Sequence, residues 1–288
     1  MIGLRESEKR RMKKGEGMLK DKVMQRNHVT IRGAGERTIV FGHGLGCDQT
    51  VWERVAPAFE SGWRVVLFDH VGSGRSDRSQ YRPSDYDSLD GYARDVIEIA
   101  DALDLRDAVF VGHSVSAMIG ALASIGRPGA IGTLIMIGPS PRYLNAPEYR
   151  GGYDREDIEE LLAMMERNYK EWAKYMAPAS MKNMDRPFLA EELEERLVSN
   201  DPDIMRQFAE VTFLSDVRDR LSQVTVPTLV LQAQEDSVAP AEVGEFVRKQ
   251  IAGSTLRMLA AKGHNPHISE PEETIREIRR YLNDERGI

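Results

Sequence analysis

Cysteine occurs only once in the 288-residue chain, at Cys47. This excludes an intrachain disulfide and any metal centre built from several thiolates. A single thiol suits a reducing compartment, so a cytoplasmic location is expected. Apolar residues never run to the roughly 18 in succession that a bilayer-spanning helix needs. The first twenty residues are dense in charge and lack the apolar segment of a secretory leader. Positive charge is in deficit: 39 Lys and Arg against 46 Asp and Glu give a net charge of −7. A nucleic-acid-binding surface is therefore not expected, and the balance suits a soluble monomer. The 24 glycines and 13 prolines are dispersed, with no linker-like tract and no fixed-period repeat. A Gly-Lys-Ser/Thr phosphate loop, a G-x-G-x-x-G turn and H-E-x-x-H spacing are all missing, so neither cofactor nor metal is expected.

What is present is a β-type run that ends in a serine turn. Val109-Phe110-Val111-Gly112-His113-Ser114 passes directly into small and apolar residues at helical spacing, Val115 to Gly120. Strand, Gly-x-Ser-x, helix is the context of a nucleophile elbow. Serine 116 stands where the second glycine of G-x-S-x-G is usual. Taken alone, Gly-His-Ser also reads as an ordinary loop between strand and helix.

The rest of the chain alternates. Residues 29–32 and 38–41 read as a hairpin around Gly33-Ala34-Gly35-Glu36, and residues 52–59 as a short helix. Further strands are expected at Trp63–Asp69, Ile131–Ile137, Val226–Gln232 and Thr255–Leu259. Helices are expected at Leu89–Leu103, Ala241–Ile251 and Pro271–Leu282. This β-α rhythm predicts an α/β fold with a doubly wound, mainly parallel sheet. It breaks between Pro139 and Leu221, where only helices are read: Arg155–Asn168, Tyr169–Met176, Ala190–Ser199 and Asp201–Phe213. Asp154 and Asp201 are their candidate N-caps. The expected organisation is a charged tail over residues 1–26, a core over 27–138 and 222–288, and a helical lid over 139–221. The basic cluster Lys9-Arg10-Arg11 with Lys13-Lys14 reads as part of a solvated tail.

An acid follows one late strand and a histidine the next, so the chain order is Ser114, Asp236, His264. A serine hydroxyl needs a base to take its proton. His264 would serve as that base, and Asp236 would hold its tautomer and stabilise the imidazolium. Glu235 competes with Asp236 for this role, and His267 with His264. His43 and His70 read as structural. The Gly42–Asp48 loop after an early strand leaves backbone N–H groups free, so Leu45 N–H and Val115 N–H are the candidate oxyanion donors.

Several segments carry a family resemblance: Gly44–Gln49, Asp69–Gly74, Leu89–Ala93, Gly112–Val115, Gly138–Asn145, Gly151–Tyr153 and Gly263–Ser269. Together, over about residues 27–282, they resemble the RsbQ subfamily of α/β-hydrolases. That subfamily includes a bacterial stress-response regulator and is related to plant strigolactone and karrikin receptors. The resemblance implies the α/β-hydrolase fold, a triad of Ser114, Asp236 and His264, and a four-helix lid over an apolar pocket. Carried over position by position, the lining is Leu45, Trp172, Met176, Phe213 and Val238. Leu45 and Met176 depart from aromatic residues usual at their positions. The implied activity is cofactor-independent hydrolysis of a small apolar ester or lactone through an acyl-enzyme. A ligand-binding regulator with little turnover is the alternative, with a PAS-domain phosphatase as the implied partner. Carbon–carbon hydrolysis and perhydrolysis on the same triad also stay open, whereas dehalogenation is disfavoured because it needs aspartate at the elbow.

Overall fold

The computed structural model describes residues 17–285 and 287. The basic cluster at Lys9–Lys14 lies outside the described residues. Seven strands form one sheet: β1 (Thr30–Arg32), β2 (Arg37–Gly42), β3 (Trp63–Leu67), β4 (Ala108–His113), β5 (Ile131–Ile137), β6 (Thr228–Glu235) and β7 (Thr255–Lys262). Their spatial order is β1-β3-β2-β4-β5-β6-β7. All pairs are parallel except β1 with β3.

The expected β1–β2 hairpin is therefore not formed, because β3 lies between the two strands. Burial explains the choice. Ile39, Val40 and Phe41 of β2 are buried, whereas β1 is partly exposed along its whole length. A strand apolar on both faces gains most in the sheet interior, and a polar one is tolerated at an edge. β2 accordingly takes β3 and β4 as parallel neighbours, and β1 closes the edge. The central strand β4 is buried throughout. Each of Val109, Phe110 and Val111 contributes about 1.5–3 kcal/mol by leaving water.

Helices cover both faces. Residues 17–26 form α1, followed by α2 (Leu89–Ala102), α3 (Val115–Gly126), α8 (Ala241–Gln250), the short α9 (Pro266–Ser269) and α10 (Pro271–Arg280). The helix of residues 17–26 differs from the solvated tail expected there. Val23 is buried, and Arg26 pairs with Asp95 at 3.0 Å and Glu98 at 2.6 Å, which ties the segment to α2. Residues 52–59 are not one helix but the end and start of two 3₁₀ turns, Gln49–Trp52 and Ala56–Phe59. Pro57 lacks the N–H that a continuous helix would donate to the Glu53 carbonyl, so the helix is interrupted there.

Between β5 and β6 lie four helices: α4 (Arg155–Arg167), α5 (Tyr169–Met181), α6 (Pro187–Val198) and α7 (Pro202–Leu214). Asp154 begins α4 through a capping box with Asp157. Asp201 begins α7 by accepting from Asp203 and Ile204 N–H, with Pro202 at the first turn. α5 runs five residues beyond its expected end at Met176. Pro178 does not stop it, since a proline distorts the turn before it and the helix resumes. Among the described residues no helix is long and apolar enough to cross a membrane.

The chain passes from β2 to β3 on one side of the sheet, then to β4 on the other. Open α/β sheets build their sites outside the carboxyl ends of strands at such a reversal. Both the Gly42–Asp48 loop and Ser114 lie there.

Candidate active site

Ser114 follows β4 directly, with φ 54° and ψ −122°. A non-glycine residue in this region is strained, and such strain persists only where the surroundings hold it. Gly112 is needed for a different reason. A Cβ there would lie 2.4 Å from Ser116 O and 2.7 Å from Ala117 N, so only glycine lets the first turn of α3 pack back on β4. The strained residue is thus the serine itself, lifted to the end of the strand with α3 behind it.

His264 Nε2 lies 2.7 Å from Ser114 Oγ, and His264 Nδ1 lies 2.8 Å from Asp236 Oδ2. These three side chains, 150 residues apart at the extremes, form one hydrogen-bonded series. Asp236 Oδ1 accepts from Val238 N–H at 2.8 Å and Ala239 N–H at 2.9 Å. Burial works against the Asp236 carboxylate, but the adjoining His264 and these N–H donors outweigh it, so its pKa lies below the ordinary value. The carboxylate therefore accepts from His264 Nδ1–H, which leaves Nε2 as the lone-pair nitrogen facing Ser114.

Competing residues lie elsewhere. Glu235 is exposed and pairs with Lys262 at 3.4 Å. His267 is fully buried, with its ring 4.6 Å from Trp52 and 4.3 Å from His113. Burial holds His267 well below its ordinary pKa. His113, next to the serine, donates its Nε2–H to the His264 carbonyl at 2.8 Å. Burial, followed by the nearby His264, lowers His113 to about 3. It holds the histidine loop as a neutral ring.

Two backbone donors lie at the same end of the sheet. Among the described residues, neither Leu45 N–H nor Val115 N–H has a hydrogen-bond acceptor. A cavity of about 60 Å³ opens above Ser114. Leu45, Trp172, Met176, Phe213 and Val238 all border it. Leu193 and Leu197 of α6, Thr212 of α7 and Cys47 border it too, and these were not foreseen. Burial raises the Cys47 thiol to about 12, so it stays protonated and is no rival nucleophile.

Sequence reasoning also passed over the Tyr143 hydroxyl, which lies 3.3 Å from Ser114 Oγ. Burial raises its pKa, so the phenol keeps its proton. With the serine hydrogen directed to His264, the Tyr143 O–H is the donor to Ser114 Oγ. Its only signal in the sequence was its place in Pro139-Ser140-Pro141-Arg142-Tyr143. Among the described residues no group of three or more His, Cys, Asp or Glu side chains is arranged to hold a metal ion.

Comparison with known proteins agrees with this architecture. The chain is 37% identical over 266 residues to strigolactone esterase D14 of Arabidopsis thaliana, covering 92% of this chain and 99% of that protein. It is 36% identical to the Karrikin insensitive 2 receptor IA of Petunia hybrida, covering 88% and 93%. Among solved structures, the hydrolase olei00960 of Oleispira antarctica superimposes with a TM-score of 0.89 at 39% identity, covering 91% and 97%. With the strand order and elbow described above, the match of residues 39–277 to the alpha/beta hydrolase family shows that the chain belongs to that family and has its fold.

Proposed function

We propose that the protein is a serine hydrolase that cleaves a small, largely apolar ester or lactone through an acyl-enzyme. The observation that carries this reading is the series Ser114–His264–Asp236, at 2.7 and 2.8 Å, at the floor of a small, partly open cavity. Ser114 Oγ attacks the carbonyl carbon as its proton passes to His264 Nε2. The carbonyl electron pair moves onto oxygen, where Leu45 and Val115 N–H receive the charge. Collapse of this intermediate expels the alkoxide, which takes the proton from His264, and leaves Ser114 acylated. Water, deprotonated by His264, then attacks the acyl carbon; this intermediate breaks its bond to Ser114 Oγ, which takes the proton back from His264, and the acid is released. Asp236 stays ionised and stabilises the imidazolium at both stages.

Relatives named as esterases support ester chemistry, and in this reading α5–α7, whose residues border the cavity, serve as its lid. The test is intact-protein mass spectrometry after a fluorophosphonate probe, with p-nitrophenyl butyrate hydrolysis alongside. One adduct in wild type, absent in Ser114→Ala, and a rate loss of at least about 10³-fold are expected. An equal adduct or rate in Ser114→Ala would overturn the reading.

A second reading is favoured by a different observation: relatives at this identity include proteins named as receptors. In it the pocket binds its ligand with slow turnover and reports to a protein partner. By resemblance to the RsbQ subfamily, that partner is a PAS-domain phosphatase. Stoichiometric acylation without sustained turnover, together with ligand-dependent binding to such a phosphatase, would favour it.

A further inference from the structure

Behind the cavity, four hydrogen bonds join residues from two loops and the first turn of α3. Ser116 Oγ donates to the His43 carbonyl at 2.5 Å. His70 Nε2 lies 2.7 Å from Ser116 Oγ. His70 N–H donates to His43 Nε2 at 3.0 Å, and His43 Nδ1 lies 2.9 Å from the Gly44 carbonyl. All three side chains are fully buried.

The proton positions follow from the partners. A backbone N–H only donates, so His43 Nε2 accepts and its ring hydrogen is on Nδ1, aimed at Gly44 O. The serine hydrogen is committed to His43 O, so His70 must donate from Nε2. Its bare Nδ1 is then the atom left without a partner, as observed. Burial, then His43, holds His70 well below its ordinary pKa, which keeps this neutral tautomer.

The ring of contacts fixes a peptide plane. Gly44 C=O and Leu45 N–H belong to one planar trans unit and point in opposite directions. The Gly44 carbonyl is held by His43 Nδ1–H and, at 3.3 Å, by Cys47 N–H, so Leu45 N–H points away from both. The His43 carbonyl, held by Ser116, fixes the preceding plane in the same way. Ser116 is the residue that departs from G-x-S-x-G, and here its hydroxyl has a use that glycine could not supply. His70 does not border the cavity. Its ring packs against Phe68, Tyr92 and Phe208.

We infer that His70 and Ser116 are positioning residues for the oxyanion loop: through His43 they set the direction of the Leu45 N–H. The inference rests on the serine-hydrolase reading of the preceding section. Two substitutions at one position separate hydrogen bonding from packing. His70→Phe keeps an aromatic ring in the Phe68–Tyr92–Phe208 box and the backbone N–H on His43 Nε2, and loses only the Nε2–H donor to Ser116 Oγ. His70→Gln loses the ring and places an amide N–H near the position of Nε2. With p-nitrophenyl butyrate, His70→Phe is expected to lose about 10- to 100-fold in kcat with KM within about twofold. His70→Gln is expected to recover most of that loss. Ser116→Ala should match His70→Phe, and the double variant should be no worse than either, because both break one series.

Wild-type kcat in His70→Phe with a loss in His70→Gln would overturn the inference in favour of packing. Multiplying losses in the double variant would also overturn it. An independent readout covers the case in which the hydrolase reading fails, which unlabelled Ser114 and absent turnover in wild type would reveal. Nitrogen-15 NMR of histidine-labelled protein should show His43 as the Nδ1–H tautomer and His70 as Nε2–H. Ser116→Ala should alter the His70 ring signals. A His70 Nδ1–H tautomer in wild type would refute the network whatever the activity.

Discussion

His70, His113 and His267 are buried as neutral rings, and this ties stability to pH. Burial is the leading cause of depression in each: His113 titrates at about 3, and His70 and His267 lie well below 6.5. An imidazole whose folded pKa is below its unfolded value takes up its proton only on unfolding. Between the two values the unfolded state binds more protons, so stability rises with pH and is lost as pH falls. For His113 that window runs from about 6.5 down to about 3. One such ring contributes a slope of about 1.4 kcal/mol per pH unit where only the unfolded form is charged. Asp236, whose pKa is depressed, adds loss in the same direction below the ordinary carboxyl range. Asp95, raised to about 6 chiefly by burial, opposes this over the lower part of the range. With three depressed histidines against it, urea midpoints measured from pH 7 to pH 4 should still fall below about pH 6.5, and His113→Asn should flatten the slope. A pH-independent midpoint over that range would contradict the neutral-ring assignment. The Ser114, Asp236 and His264 positions were legible because each follows a short β-type run that ends in a turn. The Tyr143 hydroxyl was not. Its approach to Ser114 depends on the path of the chain after β5, which no local pattern encodes.

At the scale of elements, the carboxyl end of α5 meets both loops that carry the acid and the base. Ser237 Oγ donates to Ala179 O at 2.6 Å, and His264 N–H donates to Ser180 O at 2.7 Å. Gly263 is pressed into the same junction. Its φ is +77°, and a Cβ would stand 2.2 Å from Met181 O. Gly263→Ala should therefore cost clearly more than about 1 kcal/mol and also lower kcat, because it pushes His264 away from α5. Gly253 supplies the control: its φ is +73°, but a Cβ would meet nothing within 4 Å. Gly253→Ala should show only the backbone strain and unchanged kcat. Equal melting temperatures and equal kcat for the two variants would show that α5 does not support the histidine loop. The amphipathic period revealed that helices occupy residues 139–221, and Asp154 and Asp201 marked two of their starts. The extension of α5 past Pro178 and the separation of β1 from β2 were not legible. Both depend on a non-local partner: the α5 end on the histidine loop, and β1 on the exposed edge of β3.

At the scale of the whole molecule, the cavity lies between core loops and the helices inserted after β5. Its volume of about 60 Å³ is far below the several hundred Å³ typical of sites for drug-sized ligands. The alternating β-α rhythm made the sheet and the place of the site legible, but not the size of this cavity. Cavity size depends on how closely α5, α6 and α7 settle over Ser114, and that is set by packing across the molecule. The ties across this junction include weak ones. The Arg54–Glu192 pair at 2.9 Å is partly exposed, and exposed pairs of this kind contribute about 0–1 kcal/mol. A closed state with a small acyl pocket is therefore the expected resting form, and a longer chain must displace the helices to enter. Along p-nitrophenyl acetate, butyrate, hexanoate and decanoate, kcat/KM should be highest for the short esters. It should fall at least about tenfold for the long ones, since each methylene without room costs on the order of 1 kcal/mol. Met176→Ala removes a flexible side chain from the wall and should move the optimum to a longer ester, with the fluorophosphonate adduct on Ser114 retained. A flat chain-length profile in wild type would mean that the helices stand open in solution. An unshifted optimum in Met176→Ala would mean that the acyl chain leaves the cavity by another side, past Leu45 and Val238 rather than past α5.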